Sequence, residues 1–203
     1  MRKSSITDQK LVLEKNSTHD YECDQTDNWT CLHSREVFDT PWIQVFKEQV
    51  LTPNGGLGLY GRIHFKNVAI GILPIDDDGF TWLVGQKRYP IDTYTWEIPE
   101  GGAPLDENPL EAAKRELAEE IQMQAEEWEI IQEVDLSNSA TDERAIIFVA
   151  RKLSPYVGLS TDDTERIAVK RVHLSEFFSM VDSGIIRDSL SVLAALKYRL
   201  LNL

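Results

Sequence analysis

The 203-residue chain contains no run of 18 or more apolar residues, so nothing in it reads as a membrane-spanning helix. Its first residues, MRKSSITDQK, have the charge of a secretion signal but lack the apolar stretch that should follow, which places the chain in the cytoplasm with no membrane partner. Cysteine is scarce. Cys23 and Cys31 sit in a polar segment with no other mark of a disulfide scaffold, and with His19 and His33 nearby their spacing fits no standard zinc pattern, so unpaired thiols are the reading. Positive charge is short as well: 21 Lys and Arg face 34 Asp and Glu, a formal net charge of −13. That balance repels a nucleic-acid backbone over most of the surface and excludes nucleic acid as a partner; any anionic ligand needs local cations. What the chain does have is 42% hydrophobic residues, enough for one cored domain with extra terminal segments.

Residues 1 to about 35 are polar and show neither a helical nor a strand period, so 1–35 reads as a flexible leader. From WIQVFKEQVL the pattern alternates, breaks at TPNGG and resumes at LGLYGRIHF, the signature of a hairpin within 36–66. A second pair, NVAIGILPI and FTWLVGQKRY, is joined across DDDG, where Gly79 can supply the positive φ of a tight turn. RAIIFVARKL and RIAVKRVHL read as further strands. LSEFFSMVDSG and DSLSVLAALKYRLLNL read as helices, the second opening on an Asp or Ser cap. There is no internal repeat.

Between the strands, TWEIPEGG ends an extended segment in a glycine turn and NPLE starts a helix: Asn108 as cap, Pro109 in the first turn, Glu111 placed to return a capping bond. The helix runs to about Ile121. Leu110, Leu117 and Ile121 share the side that must face a sheet, while Glu116 and Glu120 lie one turn apart on another side with Glu119 beside them. Like charges at that spacing cost a few tenths of a kcal/mol, roughly, so something cationic should offset them. Charge clustering alone describes a solvated acidic face as readily as a site for a hard divalent cation.

The spacing decides. Gly101, Glu107, Arg115, Glu116, Leu117, Glu119, Glu120 and Met123 resemble the Nudix box, G-x5-E-x7-R-E-U-x-E-E-x-G-U with U a bulky aliphatic, at every position except Gln122, where the box has glycine. The resemblance continues through YGRIHFKNVAIGILPI, LVGQKRYP, WEIPEGG, SATDERAIIFVA and TERIAV, over roughly residues 38 to 200, and is to the ADP-ribose and nucleotide-sugar pyrophosphatase branch of the Nudix hydrolases. It implies an α/β fold, an α/β/α sandwich around a mixed sheet with an N-terminal antiparallel hairpin region, and a catalytic domain over 67–203. It also implies a homodimer formed through the N-terminal strands.

The same resemblance assigns roles. Glu116 and Glu120 are direct Mg²⁺ ligands, with Mn²⁺ a possible substitute; the backbone carbonyl of Glu100 completes the shell and Glu119 assists. Arg115 orients a box glutamate and Glu107 braces the loop. The base that activates water maps to Glu165, with Asp162 and Asp163 as alternatives in the same acidic loop. Arg88 is a candidate phosphate contact, Trp42 and Tyr60 match base-stacking positions, and Glu143 matches a loop lining the site; Trp96 packs beneath the glycine turn. The implied reaction is hydrolysis of a nucleoside diphosphate derivative, ADP-ribose to AMP and ribose 5-phosphate foremost. Another nucleotide sugar or a dinucleotide is the alternative, as is a nucleotide-binding module that does not cleave.

Overall fold

A computed structural model describes residues 28–158 and 167–202. Three antiparallel strands come first: β1 (Thr30–Asp39), β2 (Ile43–Leu51) and β3 (Leu57–Phe65), paired in that order. β4 (Asn67–Pro74), β5 (Phe80–Arg88), β6 (Thr93–Glu97) and β7 (Glu100–Pro104) lead into α1 (Pro109–Ile121). β8 (Met123–Leu136), β9 (Glu143–Pro155), β10 (Ala168–His173), α2 (Leu174–Asp182) and α3 (Ser189–Leu201) follow. No helix among the described residues is long and apolar enough to cross a membrane.

The centre is a mixed sheet of order β7-β4-β9-β8, in which β4 and β9 are parallel and the other pairs antiparallel. Strand alternation sorts its side chains into two cores. Ile70, Ile72, Ile146 and Phe148 pack with Ala112, Ala113 and Leu117 of α1 on one face. Leu73, Ala145, Ile147 and Val149 pack with Phe177 of α2 and Leu190, Ala194 and Ala195 of α3 on the other. With helices on both faces, β4 and β9 are buried throughout their middles, as a parallel pair requires. The molecule is an α/β/α sandwich.

Four sequence expectations need correction. First, the leader's boundary at about residue 35 falls inside β1; all ten of its residues are exposed, so it pairs with β2 through backbone bonds and needs no apolar alternation to reveal it. Second, DDDG does form the tight turn, with Gly79 at φ 79° and the Asp76 carboxylate accepting from the Asp78 and Phe80 amides, but β4 and β5 are not a hairpin. β4 takes β7 and β9 as neighbours, while β5 joins a separate sheet of order β10-β5-β6. Third, residues 123–136, given no element from sequence, form the 14-residue β8, separated from α1 by the single residue Gln122. Fourth, Glu111 pairs with Lys114 at 2.8 Å, while the Asn108 side chain caps α1 by accepting from Leu110 N–H at 2.9 Å. Cys31 is an exposed free thiol in β1, as is compatible with the reading above; Cys23 and His19 lie outside the described residues.

Candidate active site

α1 lies along the sheet on Ala113 and Leu117, which turns its glutamates toward the glycine strand β7. Glu120 is 8% exposed and accepts from the Glu100 backbone N–H at 2.9 Å. Glu116 lies against Gly101, where an added Cβ would overlap its carboxyl, so only glycine leaves room for it. The cation expected beside these charges is Arg115. Its guanidinium donates to Glu116 at 2.7 Å, Glu119 at 3.2 Å, Glu107 at 3.3 Å and the Gly102 carbonyl at 3.0 Å, fastening the glycine turn to the helix. Burial pushes the Glu116 carboxyl above its ordinary value even though Arg115 pulls the other way.

A second charged group lies beside the first. Arg88, expected to contact a phosphate, lines both clefts and has Nε and Nη2 on carboxylates: two bonds of 3.0 Å from Nε to Glu97, a further one from Nη2 to Glu97, and a short contact to Glu100. Burial would raise Glu97, but Arg88 and a 2.6 Å hydrogen bond from Thr95 outweigh it and hold the carboxyl low. Glu100 is pushed well above the carboxylate range by burial, with Asp188 and Glu97 adding to the effect, and its Oε2 has no hydrogen-bond partner. Oxygens of Glu97, Glu100 and Asp188 lie within 4.8 Å of one another. Sequence reasoning passed over Glu97 and took Asp188 only as a cap. Asp188 does cap α3, accepting from Ser191 N–H at 2.8 Å, and Ser191 Oγ in turn accepts from Ile98 N–H at 2.9 Å. The start of α3 is thereby pinned to the strand end that carries Glu97 and Glu100.

Two clefts meet here. One, of about 900 Å³, is lined by Glu100, Arg115, Glu116, Glu119 and Glu120. The other, of about 990 Å³, has an apolar wall of Trp42, Phe65, Pro90, Ile91 and Leu136 and a polar one that includes Glu143 and Arg187. Trp42, Asn67, Arg88, Glu100 and Gly101 border both. Cavities of this size suit a small-molecule ligand. Trp42 is 68% exposed and is set by a turn in which Thr40 Oγ1 accepts from the Trp42 and Ile43 amides at 3.2 and 3.0 Å. Burial raises the Glu143 carboxyl. Tyr60 is not brought to either cleft; its hydroxyl bonds the Ser139 carbonyl and its ring meets Trp29 edge-on at 5.3 Å. Trp96 packs across Gly85 beside Tyr94 instead of beneath the glycine turn. Glu165, Asp162 and Asp163 lie outside the described residues.

Comparison with known proteins accounts for both the box and the strands ahead of it. Residues 65–188 match the NUDIX domain. The chain belongs to the Nudix family. Residues 29–63 match the nucleoside diphosphate sugar hydrolase N-terminal domain. An ADP-ribose pyrophosphatase of Mycobacterium tuberculosis is 30% identical over 137 residues, 66% of this chain and 61% of that protein. One from Bacillus subtilis is 28% identical over 155 residues, 76% of this chain and 83% of that protein. The fold is that of a solved ADP compounds hydrolase, with a TM-score of 0.77 at 23% identity over 86% of this chain and 94% of that one. The protein is a Nudix hydrolase related to ADP-ribose pyrophosphatases.

Nudix enzymes generally use divalent metals, and the donor set of the smaller cleft fits one. Its Glu116, Glu119 and Glu120 offer carboxylate oxygens and with Glu107 outnumber Arg115, while the other lining cations, Lys66 and Arg88, are held by Asp39 and by Glu97 and Glu100. The neighbouring trio of Glu97, Glu100 and Asp188 differs, because Arg88 already supplies a cation there.

Proposed function

We propose that this protein hydrolyses the diphosphate bond of nucleoside diphosphate derivatives, with ADP-ribose, cleaved to AMP and ribose 5-phosphate, as the leading substrate. The observation that carries the reading is the junction of the two clefts: box carboxylates line one, an aromatic and aliphatic wall lines the other, and Trp42, Arg88 and Gly101 border both. A diphosphate lying across that junction has its bridging oxygen beside Glu116 and Glu120 and one of its organic ends against Trp42.

In this reading Glu116, Glu120 and the Glu100 carbonyl hold Mg²⁺, or Mn²⁺ in its place. When bound there, such an ion would supply charge neutralisation at phosphoryl oxygens and a more acidic water. Arg115 keeps Glu116 oriented by its 2.7 Å bond and ties Glu119 and Glu107 to the same guanidinium. The Glu100 amide fixes Glu120 at 2.9 Å, so the two ligands are held before substrate arrives. Glu165 takes the proton of the attacking water. Trp42 stacks on the base, and the Glu143 carboxylate accepts from a sugar hydroxyl. The N-terminal strands form a homodimer, and the enzyme works in the cytoplasm.

The test is ³¹P NMR of the protein with Mg²⁺ and ADP-ribose, ADP-glucose, GDP-mannose, NADH and diadenosine polyphosphates, alongside Glu120→Gln. Two phosphomonoester signals from one substrate, absent in the variant, support the reading and name the substrate class. Turnover by Glu120→Gln within about threefold of wild type, still activated by Mg²⁺, removes Glu120 from the metal site.

A further inference from the structure

A diphosphate must find cations in a protein of net charge −13, and the two clefts offer four: Lys66, Arg88, Arg115 and Arg187. Three are already engaged. Lys66 donates to Asp39 and, at 2.7 Å, to the Thr40 carbonyl; Arg88 is held by Glu97 and Glu100; Arg115 is held by Glu107, Glu116 and Glu119. A phosphate brought to Arg88 would also meet the carboxylates that hold it. Arg187 makes no hydrogen bond or ion pair with any described residue, and its side chain lines the larger cleft. Its backbone is nonetheless fixed. Ile186 before it is 1% exposed in the core, and Asp188 after it caps α3, whose Ser191 is bonded to Ile98.

We propose that Arg187, rather than Arg88, binds the substrate's diphosphate, gripping phosphoryl oxygens from the side of the larger cleft while the box carboxylates address them from the smaller one. Guanidinium suits this task, since its planar fork reaches two phosphoryl oxygens at once. Anchoring on both sides of the residue limits what ordering the side chain costs. Arg88 then serves as the internal counter-ion of Glu97 and Glu100. The proposal rests on the hydrolase reading above and adds to it the residue that recognises the charged part of the substrate.

The experiment compares wild type, Arg187→Ala and Arg187→Lys with ADP-ribose and Mg²⁺, using ADP and adenosine as competitors. Because Arg187 is exposed and unbonded, thermal midpoints should coincide. Arg187→Ala should raise KM by about tenfold or more with kcat within about threefold, and Arg187→Lys should recover part of the loss. The decisive contrast is between the competitors: ADP should weaken about tenfold in the alanine variant while adenosine stays within about twofold. A KM within about twofold of wild type, or equal weakening of ADP and adenosine, overturns the assignment while leaving the hydrolase reading intact. Should wild type cleave nothing in the panel, the hydrolase reading fails by itself. Calorimetric titration of ADP into wild type and Arg187→Ala then decides, and equal affinities, or binding by neither, overturn the role of Arg187.

Discussion

Gln122 ends α1 in the left-handed region, at φ 55° and ψ 38°, where its N–H reaches back to the Ala118 carbonyl at 3.1 Å. Its own carbonyl accepts from Tyr156 N–H at 2.8 Å, so the turn is held by the next strand pair as well as by the helix. A side chain in that conformation costs about 1–2 kcal/mol, partly offset by the freedom that glycine has in the unfolded chain. Gln122→Gly should therefore stabilise the protein by about 0.5–1 kcal/mol, read as a rise of about 2–4 °C in thermal midpoint, with kcat unchanged. A fall in midpoint would mean that the glutamine side chain makes a compensating contact. At this scale the box was legible in the sequence because its residues recur at fixed spacing from β7 through α1 into β8. The fate of Arg88 was not. Arg88 and Glu97 lie on adjacent antiparallel strands, and nothing in QKRYP says that the carboxylates of the neighbouring strand end will take its donors.

The turn between β8 and β9 is fastened from outside the catalytic sheet. Ile63 N–H donates to the Ala140 carbonyl at 2.9 Å, Tyr60 to Ser139, and Asp142 receives His64 at 2.6 Å and Phe65 N–H at 2.9 Å. Ser137 and Glu143 of the larger cleft flank this clasp. Burial would raise Asp142, but the hydrogen bonds from His64 and Phe65 hold the carboxyl below its ordinary value. A depressed carboxyl contributes stability that is present above its unfolded value and is lost as pH falls through its folded one. Asp142→Asn should cost under about 1 kcal/mol at pH 7, since Asp142 is half exposed, and should flatten the loss of stability between about pH 5 and pH 3. Urea midpoints at pH 7 and pH 3 provide the check, and parallel pH profiles would show that the acid sensitivity arises elsewhere. Elements themselves were legible where a period or turn residue marked them, as with the DDDG turn. Their partners were less so, because the neighbours of β4 come from β7 and β9, far along the chain.

For the whole molecule, the sheet of β1, β2 and β3 leaves apolar surface to cover. Leu57, Leu59 and Phe38 share one of its faces by register and are 82%, 67% and 55% exposed, with Trp29 at 56% nearby in the chain. A second copy covering that face would remove this patch from water, which is the physical case for the homodimer. Sedimentation at micromolar concentration should show a dimer, and Phe38→Asp with Leu59→Asp should give a monomer with unchanged circular dichroism. A wild-type monomer ends the proposal. Individual strands and one amphipathic helix were visible in the apolar pattern and the sandwich came from the family resemblance, whereas β1, exposed along its whole length, left no such trace in the sequence.

Trp42 comes from the segment matching the N-terminal domain, and every box carboxylate comes from the segment that begins at residue 65. The seam between the two inherited pieces therefore passes through the cavity itself. A graft at residue 64 exchanges the indole and leaves untouched both the acidic helix and the rest of the cavity wall, Phe65, Pro90, Ile91 and Leu136, so chimeras between relatives isolate what Trp42 alone contributes.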